Sequence, residues 1–309
     1  MIITVEFMEP LGHRNLPLFR EPIYIRRSEM DWRVIWGIMM GQDPGSEFVS
    51  PYTASLIFFF ITMATGAFLR TLNTIMSPPW LQEYIADFVT TAEACAYVFE
   101  KSFVYKYYGS FWFVIVIICQ LYVFTRTFGN ASYNPVKAIT QLVNAEITPA
   151  KAALKIVIQA LAGLASYRFA KAVWALDLIS DHHERYYETT CASELNVGPL
   201  VGCGIEMAAS LSDTWLGMQR VSKVSLLDEF VKYTNGALMI TVGLDTTGMY
   251  FNPASAFGHT FGCEGTAAWE HFVVYWIGPF LGCYAAIQLD KIIHIDVFST
   301  EEAEVKKTQ

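Results

Sequence analysis

Two Asn-Pro steps interrupt apolar stretches of the chain, one in FGNASYNPVKAI (residues 128–139) and one in GMYFNPASAFG (residues 248–258). Asn is among the best helix N-caps, and proline suits the first helical turn, where its missing N–H would have no partner anyway. Each step therefore predicts a helix start. About ten residues of helix cover roughly 15 Å, half of a ~30 Å hydrocarbon core. KAITQLV and AFGHTFG thus suffice for half-spanning helices that meet near a membrane midplane. Non-helical backbone at that depth survives only when buried in protein or lining a wet cavity, so a pore or a binding site is implied.

The composition supplies the membrane. Of 309 residues, 53% are hydrophobic and only 16% charged, which predicts a polytopic membrane protein. The windows 52–69, 109–125 and 272–289 lack Asp, Glu, Lys and Arg at close to spanning length. A formal charge of −8 gives no case for nucleic-acid binding. The start, MIITVEFMEPLGHR, lacks the basic region and small-residue cleavage pattern of a signal peptide. Residues 1–51 read as an extramembrane arm whose five arginines (Arg14, Arg20, Arg26, Arg27, Arg33) favour the cytosolic side. An extra hydrophobic segment follows at 52–72. A membrane domain at 83–291 and a cytosolic tail at 292–309 complete the chain. Spans are expected near 83–101, 109–128, 151–177, 197–219, 230–250 and 270–291, with a polar loop at 180–196.

Intramembrane acids reveal a repeat. Asp87 precedes Asn134 by 47 residues (134 − 87), and Glu206 precedes Asn252 by 46 (252 − 206). Each half reads as acid-bearing span, second span, Asn-Pro break and third span, and three spans reverse direction, so the halves are inverted. The acids can brace the two loops by accepting backbone N–H bonds, or snorkel and hold helices together. If the spans from 83 onward begin in the cytosol, Lys137, Lys151, Arg220, Lys223, Lys232, Lys291, Lys306 and Lys307 fall there. Lys101, Lys106 and Arg185 fall opposite, as the positive-inside rule asks. Segment 52–69 conflicts with this parity and is a seventh helix, a re-entrant turn or an interfacial helix. Opposed half-helices aim their positive dipole ends at the meeting point and repel cations and protons. Once Asn134 and Asn252 cap their own helices, their amide N–H groups stay free for a neutral permeant.

These features resemble the aquaporin, or major intrinsic protein, superfamily. The likeness spans 83–291: the acid in the first span, NPV at Asn134, Pro135 and Val136, Glu206, DTTGMYFNPA ending at Asn252, Pro253 and Ala254, and YWIGPFLG at 275–282. It implies an all-α membrane fold with a 3+3 inverted repeat and two re-entrant half-helices. It also implies a homotetramer with one pore per subunit, passing water or small neutral solutes without a cofactor or metal. NPV for NPA, Asp for the usual Glu at 87, and Ser255 where water-selective members carry Arg resemble the divergent superaquaporins, the aquaporin-11-like group. The selectivity filter by that likeness is Ile240, Met249 and Ser255, with Val114 or Phe113 from the first repeat. Cys263 matches a cysteine of the group. Cys191 and Cys263 share the non-cytosolic side, where an oxidising lumen permits a disulfide between them. The closing KKTQ resembles a dilysine retrieval signal of the endoplasmic reticulum, or is a solvated end.

Other residues take plainer readings. Cys95, Cys119, Cys203 and Cys283 are expected to pack within spans. His182 and His183 are adjacent rather than helically spaced and read as solvated loop, not a metal site. The sequon at Asn130 falls on the cytosolic side, which argues against glycosylation. Lys137 charges the vestibule or snorkels to the interface. No nucleophile, phosphate loop or metal cluster supports an enzyme. A passive channel leads, with a secondary transporter or a non-conducting structural protein as alternatives.

Overall fold

The structure is a computed structural model that describes residues 49–188 and 190–297. Residues 1–48 of the N-terminal arm, with all five arginines, and the Lys306–Lys307 pair lie outside those residues. Among the described residues, nine helices follow one another: α1 (Pro51–Met76), α2 (Pro79–Thr127), α3 (Pro135–Val143), α4 (Pro149–Trp174), α5 (Ser180–Tyr187), α6 (Pro199–Met218), α7 (Ser225–Thr247), α8 (Pro253–Thr260) and α9 (Ala268–Asp290). Proline occupies the first turn of seven of them, α1–α4, α6, α8 and the second part of α9, at Gly278–Asp290. Among the described residues, α1, α2, α4 and α9 are long and apolar enough to cross a membrane. Helices α6 and α7 are less apolar because they carry Glu206 and Asp213, and Asp228, Glu229, Lys232 and Asp245.

Two expected spans, 83–101 and 109–128, are a single helical stretch broken at one residue. Gly109 adopts φ 76°, a left-handed conformation that glycine enters without steric cost. There the chain doubles back, so that Tyr97 and Phe124 meet with ring centroids 5.6 Å apart, and Tyr105 and Phe113 at 5.4 Å. Residues 102–108, expected as a loop, are helical. Lys101, expected in that loop's approach, is a buried residue of the helix.

Helix α1 is one unbroken helix of 26 residues, about 39 Å long, enough for a full crossing. It runs antiparallel to the first limb of α2. Ser55 donates to Glu100 at 2.7 Å, Tyr97 donates to the Phe59 carbonyl at 3.4 Å, Arg70 pairs with Glu93, and Asn73 donates to the Gln82 carbonyl at 2.9 Å. Glu100 is fully buried and also accepts from Trp174 Nε1 at 3.1 Å, with His182 Nε2 at 3.2 Å. Such polar contacts hold helices together where lipid offers no hydrophobic drive between them.

The 180–196 loop contains the short helix α5. Asp181 in its first turn and Arg185 in its last suit the helix dipole. His182 is therefore a buried partner of Glu100 and not a solvated loop residue; His183 is exposed and sits 3.2 Å from Asp177. Sequence adjacency concealed this because a helix turns neighbouring side chains about 100° apart. Burial works to raise the Asp181 carboxyl, but the Lys106 ammonium, 2.7 and 2.8 Å from its two oxygens, and the Tyr107 hydroxyl outweigh it and hold it below the ordinary value.

The half-helices enter from opposite ends. Thr260, closing α8, meets His271 near the start of α9 (Oγ1 to Nδ1, 3.1 Å), and Thr140 in α3 meets Cys283 twelve residues further along α9 (Oγ1 to Sγ, 3.1 Å). Glycines allow the close crossings. A Cβ on Gly258 would lie 2.3 Å from the Gly163 carbonyl oxygen, and one on Gly163 would lie 2.2 Å from that of Ala254. On the other side, a Cβ on Gly282 would lie 2.2 Å from the Met207 carbonyl oxygen.

Gly258→Val is expected to destabilise the fold by about 1–3 kcal/mol through overpacking against α4, read as earlier loss of the monodisperse peak after heating. Because a depressed carboxyl stabilises the fold above its unfolded pKa and loses that contribution as pH falls through its folded value, acid titration should unlock α5. Asp181→Asn should cost about 0.5–1 kcal/mol at neutral pH and flatten the acid-side decline in thermal stability.

Candidate functional site: a paired Asn-Pro constriction

Each Asn-Pro loop is tied to an acid on a neighbouring helix. Asp87, fully buried on α2, accepts from the Ser132 backbone N–H at 2.7 Å, and Lys155 on α4 lies 2.9 Å from its other oxygen. The Ser132 carbonyl in turn accepts from Gln159 at 3.0 Å and from Thr90 and Thr91 at 3.2 and 3.3 Å. Glu206, fully buried on α6, accepts from the Phe251 N–H at 2.6 Å, the Tyr250 N–H at 3.1 Å and the Thr247 hydroxyl at 2.7 Å. Backbone groups inside a membrane need such acceptors, because neither water nor lipid replaces them.

The two caps then meet. Asn134 Oδ1 accepts from the Val136 N–H at 3.0 Å, and Asn252 Oδ1 accepts from the Ala254 and Ser255 N–H groups at 3.1 and 3.4 Å. Asn134 Nδ2 donates to the Phe251 carbonyl at 3.2 Å, while Asn252 Nδ2 donates to the Tyr133 carbonyl at 3.1 Å. The exchange is reciprocal: each amide bonds the residue preceding the other. One N–H of each amide is consumed in this way, where the sequence suggested that both stay free. The other remains for a passing acceptor. Pro135, Val136, Pro253 and Ala254 are buried behind the caps.

A cavity of about 840 Å³ reaches both asparagines from the face that holds Cys191 and Cys263. Ile240, Met249 and Ser255 line it, with Phe113 and Ile117 from the first repeat. Val114 does not; it packs at the side against the Phe113–Ile117–Ala237 cluster. One residue along a helix is a turn of about 100°, which is what separates the two alternatives. Ser255 Oγ contacts Cys95 Sγ at 3.3 Å. Lys137 is exposed and absent from the cavity wall. Of the free cysteines among the described residues, Cys95 and Cys283 are buried, Cys203 is partly so and Cys119 is exposed.

At the cavity mouth, Cys191 and Cys263 form a disulfide with Cα atoms 4.8 Å apart, joining the loop before α6 to the end of the second Asn-Pro loop. Two backbone bonds flank it, Glu264 N–H to the Cys191 carbonyl and Ser193 N–H to the Glu264 carbonyl, both 2.8 Å. Charged side chains that the sequence did not mark as pore-lining also stand in the cavity wall, Lys101 and Asp213 among them. Helical spacing would have exposed the first, since Ala94, Val98, Lys101 and Tyr105 recur as one stripe of α2.

Opposed, cross-bonded half-helices meeting in the wall of one cavity define a channel built from an inverted repeat. The family profile described as "Major intrinsic protein" matches residues 45–289, and the chain belongs to that family, whose members are channels rather than enzymes. Curated relatives include Aquaporin-11 of Milnesium tardigradum, 26% identical over 72% of this chain and 80% of its own. Aquaporin-12 of Mus musculus is 27% identical over 76% of this chain and 84% of its own. Among solved structures, the aquaglyceroporin from Plasmodium falciparum shares the fold with a TM-score of 0.51 at 12% identity, covering 67% of this chain and 94% of that one.

Glu206→Ala removes three accepted bonds and strands two buried backbone N–H groups at about 1–3 kcal/mol each. The variant is expected to lose most of its folded yield and its osmotic water flux together, with Glu206→Gln intermediate in thermal stability.

Proposed function

We propose that this protein is a passive channel for water and for small neutral solutes such as glycerol and hydrogen peroxide, and that it excludes protons at the paired Asn-Pro half-helices. The observation that carries the reading is the reciprocal Asn134–Phe251 and Asn252–Tyr133 exchange. It fixes two N-terminal dipole ends, each about half a positive charge, on one point of the path. A proton or cation is repelled there. A neutral molecule with acceptor oxygens finds one amide N–H on each side.

In this reading Phe113, Ile240, Met249 and Ser255 form the selectivity constriction. Its wall is apolar and holds solutes loosely, and it lacks the side-chain cation that an Arg at 255 would supply. Asp87 and Glu206 serve as the braces that keep both loops in place. The names of the relatives, aquaporins and an aquaglyceroporin, support water and a small polyol as permeants. The Cys191–Cys263 pair supports a non-cytosolic, oxidising environment at the cavity mouth, with Lys151, Arg220 and Lys291 on the cytosolic face. We place the assembly, a homotetramer with a pore in each subunit, in the endoplasmic reticulum or another intracellular membrane.

Purified protein in liposomes should shrink under an osmotic step faster than empty vesicles, and Asn134→Ala/Asn252→Ala should return the rate to that of empty vesicles. Equal rates for the unaltered protein and empty vesicles would retire the channel.

A further inference from the structure

Among the described residues, Lys101 and Asp213 face the cavity away from its mouth without a partner. Lys101 on α2 is 6% exposed, and among the described residues its ammonium makes no hydrogen bond or ion pair. Among the described residues Asp213 on α6 is likewise without a hydrogen bond or ion pair; a Cβ added at Gly236 of α7 would sit 3.5 Å from its Oδ1. Both line the same cavity as Asn134 and Asn252. Burying a charge at membrane depth is expensive, and such residues mark ion or substrate pathways when they face a water-filled cavity. The other charges of the wall are already engaged: Arg185 with Glu188 at 2.9 Å, and Glu194 with the Tyr250 hydroxyl at 2.5 Å. Asp245 is exposed at the mouth.

The two groups lie on opposite sides of the asparagine pair. Lys101 follows Cys95, the contact of Ser255, by six residues along α2, about 9 Å nearer the disulfide face. Asp213 follows Glu206, the brace of Phe251, by seven residues along α6, about 10 Å toward the opposite face. That face is marked by Trp215, whose Nε1 donates to the Ile293 carbonyl at 3.0 Å.

We propose that Lys101 and Asp213 form a divided charge filter: a fixed cation on the disulfide side and a fixed anion on the other, so that only uncharged solutes cross both. The proposal rests on the channel reading above and deepens it. Half-helix dipoles and Lys101 are all positive, and together they attract anions as strongly as they repel cations. With no Arg at 255, the wall needs a negative group to reject anions, and Asp213 is placed for it. An anion drawn past Lys101 meets Asp213; a cation drawn past Asp213 meets the dipoles and then Lys101. Each barrier acts inside an apolar wall, where a unit charge is felt over several ångströms.

The test measures chloride, potassium and water flux in liposomes holding the full chain. Asp213→Asn is expected to raise chloride permeability at least about tenfold and leave potassium excluded, while Lys101→Met raises potassium permeability by a similar factor and leaves chloride excluded. Water flux in both should remain faster than in empty vesicles, so that the ion leak is read in an open channel. Asp213→Glu and Lys101→Arg should restore exclusion. Lys101→Cys provides a check inside one folded protein: labelling with a cationic methanethiosulfonate should restore potassium exclusion, and an anionic one should not. The filter is overturned if both neutral variants conduct water yet exclude both ions as the unaltered protein does, or if both leak without regard to sign. Water flux no faster than in empty vesicles for the unaltered protein would instead remove the channel reading, and the filter with it.

Discussion

The exchange of amide bonds between two loops is the constraint on which the rest of this structure depends. Asn134 and Asn252 each spend one oxygen on their own helix and one N–H on the other loop. A helix N-terminus in mid-membrane has several backbone donors that lipid cannot satisfy. Capping covers part of that need, and the cross-bond joins two otherwise separate solutions into one. Both loops must then sit within a hydrogen bond of each other. The surrounding helices are arranged to allow it: α4 closes on α8 where Gly163 and Gly258 remove side chains, and α6 closes on α9 where Gly282 does.

The acids extend the same logic outward by one shell. Asp87 and Glu206 occupy matching positions in the two halves, yet they work differently. Glu206 gives both oxygens to donors of its loop, two of them backbone N–H groups, and has no ion-pair partner among the described residues. Asp87 gives one oxygen to Ser132 and the other to Lys155, which also reaches Glu83 at 2.7 Å. The first loop is thus held through a charge cluster that reaches the lysine-rich face, and the second through uncharged donors alone. Burying a carboxylate without a cation demands complete hydrogen bonding, and Glu206 has it.

What the sequence made legible was local or periodic. An Asn-Pro step carries its own cap geometry, and the spacing of Asp87 and Glu206 needs only counting, so the half-helices and the repeat could be read before any coordinates. What escaped depended on partners far along the chain or on a single residue of helical phase. His182 looks solvated until Glu100, eighty-two residues earlier, is seen beside it. Val114 and Phe113 are equally apolar, and only the packing of α2 against α7 turns Phe113 to the cavity and Val114 aside. Lys101 looked like a loop lysine because nothing local announces that Gly109 alone reverses the chain. Cys119 looked like a packing residue because hydrophobicity does not distinguish a lipid face from a core.

Helix α1 is long and apolar enough to change the parity of the chain, and its polar contacts hold it against the repeat. The first and last described residues lie at opposite ends of the helices, as a full-length crossing by α1 ahead of the repeat would require: Val49 donates to the Leu178 carbonyl at 3.4 Å beside α5, whereas Arg220 and Ile295 are bonded at 2.8 Å beyond the far end of α6. An orientation that satisfies the lysine-rich face of the repeat therefore carries Val49 to the disulfide face. A helix bound only by apolar contacts would exchange them for lipid at little cost, since lipid tails are as apolar as its neighbours. Arg70–Glu93 and the Ser55–Glu100–Trp174–His182 cluster remove that option, because separating α1 would leave buried charges facing hydrocarbon. Glu100 is adjacent to Lys101 on the same turn of α2, so the contact that anchors the added helix also fixes the rotation at which Lys101 meets the cavity.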